Sequence, residues 1–250
     1  MMNTPAPALT VIMATPGRCA TLTRPLRFLR DQTLREHIEL VLIGPGQSAF
    51  DDLDPELVAG FARCLTLAAG PILEVERAFA PGIAAATAPV VALLENHVYP
   101  EPGWAEAVVR AHQGPWAVVG CVISNANVAT ATSCVEHLLS YAFHDEQAPV
   151  GEVARVSRNN TTYKRAALAA FGDRLPDLLA RDGGLLEELR GNGARFYREP
   201  QARLAHLNPS RMGSMLNLRL HSARASSSTR ARPGRWPPGR RALYVLASPL

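Results

Sequence analysis

The sequence predicts an α/β protein, a three-layer α/β/α sandwich around a mostly parallel sheet. Three observations carry that expectation. Short, almost wholly apolar runs recur from the N-terminus, as strands buried on both faces do. Stretches with helical spacing alternate with them. Gly and Pro punctuate the ends of the runs. At 250 residues, 47% of them hydrophobic, the chain can bury a core without disulfides or structural metals.

The elements follow in order. Leu9–Ala14 (LTVIMA) reads as a strand stopped by Pro16-Gly17, and Leu22, Leu26 and Leu29 mark one stripe of a helix over 21–33. Ile38–Ile43 is a second strand ending at Gly44-Pro45-Gly46, and Asp54-Pro55-Glu56 has the form of a helix start. A third strand is expected at 72–75 with a helix over 80–87, then a fourth strand at Pro89–Leu94. A loop over 95–102, a helix over 103–112 and a fifth strand at 116–123 complete the alternation. Beyond it, helices are expected over 131–143, with Val135, Leu138, Leu139 and Ala142 on one side, over 162–171, and over 175–190, where Gly183-Gly184 interrupts. From Arg211 onward Arg, Ser and Pro accumulate, and SSSTRARPGRWPPGRR reads as loop or disorder. The expected division is therefore a domain over 1–210 and a basic tail over 211–250 with a short apolar end.

Charge sharpens that division. The net charge is +4, but residues 1–210 hold 18 basic and 22 acidic side chains, whereas 211–250 hold eight Arg and no Asp or Glu. Binding of nucleic acid by the body loses its electrostatic basis. Arg supplies 25 of the 26 basic residues, with Lys164 the single Lys. Cys19, Cys64, Cys121 and Cys134 are far apart and read as reduced, mostly buried thiols of a cytoplasmic chain. The N-terminus lacks a positive region and a small-residue cleavage site, so it reads as a strand rather than a signal peptide. The uncharged run Ala78–Leu94, which includes Pro81, Gly82, Thr87 and Pro89, falls short of the roughly 18–20 apolar residues of a membrane span.

Ligands of open α/β sheets sit beyond the carboxyl ends of the strands. Those ends bring forward Thr15 to Arg18, Gly44 to Ser48, Glu76-Arg77 and Glu95 to Tyr99. Arg18 and Arg77 suit phosphate oxygens, although Arg is abundant throughout. In VVALLENHVYPEPGW an apolar strand ends abruptly in Glu95-Asn96-His97. A carboxylate and an imidazole suit Mn or Zn better than Mg; a polar loop capping backbone groups is the plainer alternative.

The segments LTVIMATPGR, IELVLIGPG, ENHVYPEPGW, NNTTYKRAALAAFG and EPQARLAHLN, taken in that order, resemble a family 2 glycosyltransferase of the GT-A type over residues 8–210. The resemblance implies a nucleotide-diphosphate-sugar donor, a hydroxyl on a glycan or lipid-linked acceptor, inversion at the transferred sugar, and a divalent cation, Mn or Mg. Carried onto this chain, it places Thr15, Arg18, Arg77, Glu95 and Asn96 at the donor, and Trp104, Asn160 and Tyr163 toward the acceptor. It gives His97 and His206 to the metal and makes Asp182 the base. Each has a structural alternative: Trp104 as a buried anchor, Tyr163 as packing, Asp182 as a helix cap or solvated charge. The chain departs from the family pattern where Glu95-Asn96-His97 stands in place of Asp-x-Asp, and where the second strand ends without an acidic residue. A glycosyltransferase-like binding or scaffold protein is one rival reading. A dinucleotide-binding oxidoreductase, from the G-x-G-x-x-A pattern Gly44–Ala49, is another. The arginines of the tail could hold the chain against the cytoplasmic face of an anionic membrane, or the tail could be disordered.

Overall fold

The computed structural model describes residues 5–230 and 236–247. Strands are β1 (Leu9–Ala14), β2 (Ile38–Gly44), β3 (Arg63–Ala68), β4 (Val90–Leu94), β5 (Val98–Pro100), β6 (Val118–Asn125), β7 (Gly151–Glu152), β8 (Thr161–Lys164) and β9 (Phe196–His206). Helices are α1 (Thr23–Arg30), α2 (Pro55–Val58), α3 (Val75–Ala85), α4 (Trp104–Ala111), α5 (Ala131–Tyr141), α6 (Arg165–Ala169), α7 (Leu175–Ala180), α8 (Gly184–Gly191), α9 (Met212–Arg230) and α10 (Pro238–Ala247).

The sheet runs β3-β2-β1-β4-β8-β6-β9-β5, with β7 beside β9. It is mixed, which corrects the expectation of a mostly parallel sheet. The first four strands pair in parallel, but β8 inserts antiparallel between β4 and β6, and β5 and β7 run antiparallel to β9. The strand expected at 72–75 lies earlier, as β3, and 75–85 is helix. The helix expected over 162–171 is divided between β8 and α6. Residues 226–230 and 238–241, expected as loop, belong to α9 and α10; residues 231–235, in the same stretch, lie outside the described residues.

Period-two alternation sorts the strand side chains onto two faces. Leu9, Val11 and Met13 join Leu40, Leu42, Ala92 and Leu94 under α1 and α4, where Leu26, Leu29, Trp104 and Val108 complete one core. Ile12 and Ala14 join Val41, Ile43, Val91 and Leu93 on the other face, under α3 and α6 to α8, against Phe79, Ile83, Leu168, Leu178 and Leu185. Helices thus cover both faces of β1, β2 and β4, as expected of the three layers. At Gly82 a Cβ would come within 2.7 Å of Ile12 and 2.9 Å of Ile43, so α3 lies on the sheet at a distance only glycine allows.

At the amino-terminal edge of these strands Glu39 is fully buried and fully engaged. It accepts from Thr10 Oγ1 (2.6 Å), from Thr87 N (2.8 Å) and Oγ1 (3.1 Å), and from Arg63 (3.1 Å). One carboxylate therefore ties β1, β2, β3 and the segment entering β4. The opposite edge is left for the site.

Candidate active site

The end of β4 delivers Glu95, and the following residues turn into β5, which pairs antiparallel with β9 so that Val98 faces His206. That register, with Leu207 N donating to His97 O at 3.0 Å, brings the two histidines together. Their rings meet edge-on, with centroids 4.6 Å apart. Ligating atoms of Glu95, His97 and His206 lie within 4.8 Å of one another.

Glu95 is held from several sides. Asn159 Nδ2 donates to Oε1 at 2.8 Å, Asn160 Nδ2 to Oε2 at 2.6 Å, and Tyr141 Oη to Oε2 at 3.3 Å. In return Asn160 Oδ1 accepts from Glu95 N at 2.9 Å. Asn160 has φ of 57°, the left-handed region that Asn tolerates better than most residues. Burial would push the Glu95 carboxyl up, but the His206 bond, the charge of both histidines and the Asn160 amide outweigh it. The group is held down at about 2. Burial, more than any neighbour, lowers the His97 pKa below its usual value, which favours the neutral imidazole that metals require.

Each imidazole has an amide partner. His97 Nδ1 meets Asn96 Oδ1 and His206 Nδ1 meets Asn208 Oδ1, both at 2.9 Å. With the amide oxygens accepting, each ring carries its proton on Nδ1 and offers Nε2 as a lone pair. Asn208 is itself fixed, donating to Asn125 Oδ1 (3.0 Å), which also accepts from Ser133 (3.0 Å). His206 Nε2 stands 3.4 Å from Glu95 Oε2. A proton on Nε2 makes the His206 bond that holds Glu95 down; with the proton only on Nδ1, two lone pairs would face one another, and a cation between them would take that proton's place. One carboxylate and two imidazoles, supported by amide contacts to both imidazoles, make a donor set fitted to a Mn-like or Zn-like ion.

Beside this cluster lies a cleft of about 500 Å³. Glu95, Asn96 and His97 line it, with Asn159 and Asn160, Glu76 of α3, and Arg158, Asp182 and Gly183 across from them. Arg158 donates to Asp182 at 2.6 Å and lies 3.9 Å from Glu76. Leu218, His221 and Ser222 of α9 also line the cleft, so the segment after residue 210 contributes to its wall. Arg219 fastens α9 to α5 through Glu136 (2.8 Å) and Ser140 (2.8 Å).

Five expected site residues stand elsewhere or differently. Thr15 is buried and shapes its own turn, its Oγ1 accepting from Gly17 N and meeting Thr21. Arg18 pairs with Asp52. Arg77 bridges Glu74 (3.0 Å) and Asp177 (2.8 Å), linking α3 to α7. None of these three lines the cleft. Trp104 is fully buried under the sheet with Nε1 directed at Cys121 Sγ (3.3 Å), leaving no ring face for a sugar. Tyr163 does line the cleft, but it is 2% exposed and does so from the core beneath it.

The residues that reading by sequence missed are the supports: Asn159, Tyr141, Arg158, Asn125 and Asn208. A consecutive Asn pair is a signal for left-handed backbone, and no local pattern distinguishes the others. The Gly44–Ala49 turn leads into a 3₁₀ turn over Gln47–Phe50 rather than a helix, and Ala49 and Phe50 crowd Gly44. It therefore lacks the helix N-terminus that receives a dinucleotide's pyrophosphate.

No protein-family model matches the chain, and no curated protein is found similar to it in sequence. Among solved structures it is similar to mannosyltransferase PcManGT from Pyrobaculum calidifontis, in complex with GDP-Man and Mn2+. The TM-score is 0.62 at 16% identity, over 98% of this chain and 71% of that one. At that identity the likeness is one of fold: the chain has a glycosyltransferase-like α/β fold.

Proposed function

We propose that the protein is an inverting glycosyltransferase of the family 2 kind, moving a sugar from a nucleotide-diphosphate-sugar to a hydroxyl of a glycan or lipid-linked acceptor. The observation that carries this reading is the Glu95–His97–His206 cluster at the carboxyl end of β4, opening on a cleft of about 500 Å³. Support comes from the similar fold of a mannosyltransferase whose structure holds GDP-Man and Mn2+.

The sequence reading gave the metal to the two histidines and Glu95 to the donor. On the strength of the cluster we assign Glu95 as the third ligand. Glu95, His97 and His206 would hold a divalent cation there, which would supply positive charge to the departing diphosphate. The chain's own residues do the rest. Asn159, Asn160 and Tyr141 keep the Glu95 carboxylate ionised and oriented. Asn96 and Asn208 fix the imidazole tautomers. Asp182, positioned by Arg158, takes the proton of the acceptor hydroxyl, within about 2.6–3.2 Å or through one water. Arg158, in the cleft lining beside Asp182 and Glu76, is the side chain we assign to meet phosphate or acceptor oxygens. The work would be done at the cytoplasmic face of a membrane.

A thermal-shift screen of nucleotide-sugars with Mn and Mg varied tests the reading. Stabilisation by a nucleotide-sugar, larger with Mn, is expected. Stabilisation by NAD(P) alone, or by no donor with either metal, overturns it. For the base, Asp182→Asn should abolish turnover, by about a hundredfold or more, while sparing donor affinity. An active variant removes Asp182 from the role.

A further inference from the structure

Helix α5 is built inside out. The sequence stripe Val135, Leu138, Leu139 would ordinarily seek the core, yet these side chains are 43%, 59% and 62% exposed, and Phe143 just beyond is 85% exposed. The buried face carries Ser133, Glu136, His137 and Tyr141 instead. The site explains the inner face: Tyr141 reaches Glu95, Ser133 reaches Asn125, and Glu136 receives Arg219. Nothing inside the described residues explains the outer one. Beside it, held by Arg219, α9 exposes Met212, Leu216 and Leu220 at four-residue spacing. Two neighbouring helices thus turn apolar side chains outward, and patches of this kind mark contact surfaces.

Charge decides the occupant. The one acidic side chain of α5, Glu136, is buried against Arg219, and residues 211–250 hold eight Arg and no acidic residue. Arg211 at the start of α9 and Arg224 within it are exposed. No helix among the described residues is long and apolar enough to cross a membrane. An apolar face on two helices that turn no acidic side chain outward, with the exposed Glu146 beyond Phe143 paired to Arg203, suits the interface of an anionic bilayer, with the apolar side chains below the headgroups and the guanidiniums among them.

We propose that the outer face of α5, with Met212, Leu216 and Leu220 of α9, docks the protein on an anionic lipid bilayer. Because Leu218, His221 and Ser222 of the same α9 line the cleft, docking sets the cleft wall at the bilayer. On the transferase reading, the accessible acceptor is then a hydroxyl carried by a lipid.

The test is co-sedimentation of the full chain with vesicles of phosphatidylcholine alone or mixed with phosphatidylglycerol, comparing wild type with Leu138→Asp/Leu139→Asp. Both positions are exposed, so the thermal midpoint should not move. Binding to the anionic vesicles is expected, weak binding to the neutral ones, and a loss of about tenfold or more in the variant. Equal binding by variant and wild type overturns the assignment, as does a failure of wild type to bind. So does a wild type that is dimeric without lipid and made monomeric by the substitutions, since a second copy then owns the face. Nucleotide-sugar stabilisation measured on the same samples separates the two claims: its absence with vesicle binding intact removes the transferase reading and leaves the docking face standing.

Discussion

Asn160 does two jobs for one carboxylate, and its backbone is held in the left-handed region to do so. Its side chain accepts from Glu95 N and donates to Glu95 Oε2. Asn160→Ala should cost about 2–4 kcal/mol, adding the lost charge-assisted bond to a left-handed backbone that alanine resists by about 1–2 kcal/mol. Asn160→Gly relieves the backbone share and leaves the rest, so it should lie about 1 kcal/mol above the alanine variant in a denaturant melt. Equal losses would show that the strain is not there. The polar triplet Glu95-Asn96-His97 was legible in the sequence because an apolar strand ends on it. Its partner His206 was reached only through the family resemblance, since 109 residues separate the histidines and β-pairing alone joins them. Arg18 and Arg77 stand differently: Arg18 does follow β1, whereas Arg77 lies inside α3 rather than at a strand end, and carboxylates at Asp52, Glu74 and Asp177 pair with them.

Strands and helices were legible where burial was complete. β1, β2 and β4 are apolar on both faces and fell within a residue or two of their expected places. β3 was not, because it is the partly exposed edge strand and its sequence RCLTLA carries a weaker signal. β8 was mistaken for helix: TTYK precedes the helical RAALA, and the pairing with β4 and β6 overrides local propensity. Glycine 82 gives a prediction at this scale. Gly82→Ala places a methyl within 2.7 Å of Ile12 and should destabilise by about 1–3 kcal/mol despite alanine's better helix propensity. A stabilised variant would mean that α3 rides freely over the sheet. Glu39→Ala strips three hydrogen-bonding groups and Arg63 of their common acceptor, and a loss of about 3 kcal/mol is expected by chemical denaturation.

Over the whole molecule, acid should unfold the protein in two stages. Burial holds His112 down at about 4, and His97 is lowered by the same cause. As pH falls below the unfolded value of 6.5, the unfolded chain takes the proton first, so stability declines until the folded pKa is passed. For His112 alone that is of order 3 kcal/mol between pH 6.5 and about 4. Glu95, held at about 2, stabilises the fold above pH 4.5 and loses that contribution between 4.5 and about 2. Denaturant midpoints measured without metal at pH 7.5, 5.5 and 4.5 should therefore fall, chiefly below pH 6.5; a flat profile would contradict the burial of His112 and His97. The charge asymmetry was visible in the composition from the start. Its relation to the cleft was not, because the sequence gives no sign that α9 returns to α5 through Arg219 and Glu136.

The central claim is that Glu95, His97 and His206 hold a divalent cation on which donor binding depends. The most direct measurement is calorimetric titration of the preferred nucleotide-sugar into wild type and His97→Ala, with Mn2+ present or removed by EDTA. Affinity for wild type should drop by at least about tenfold on removing the metal, and the variant should show the weakened affinity whether or not Mn2+ is present. Donor affinity that neither EDTA nor His97→Ala changes would contradict it.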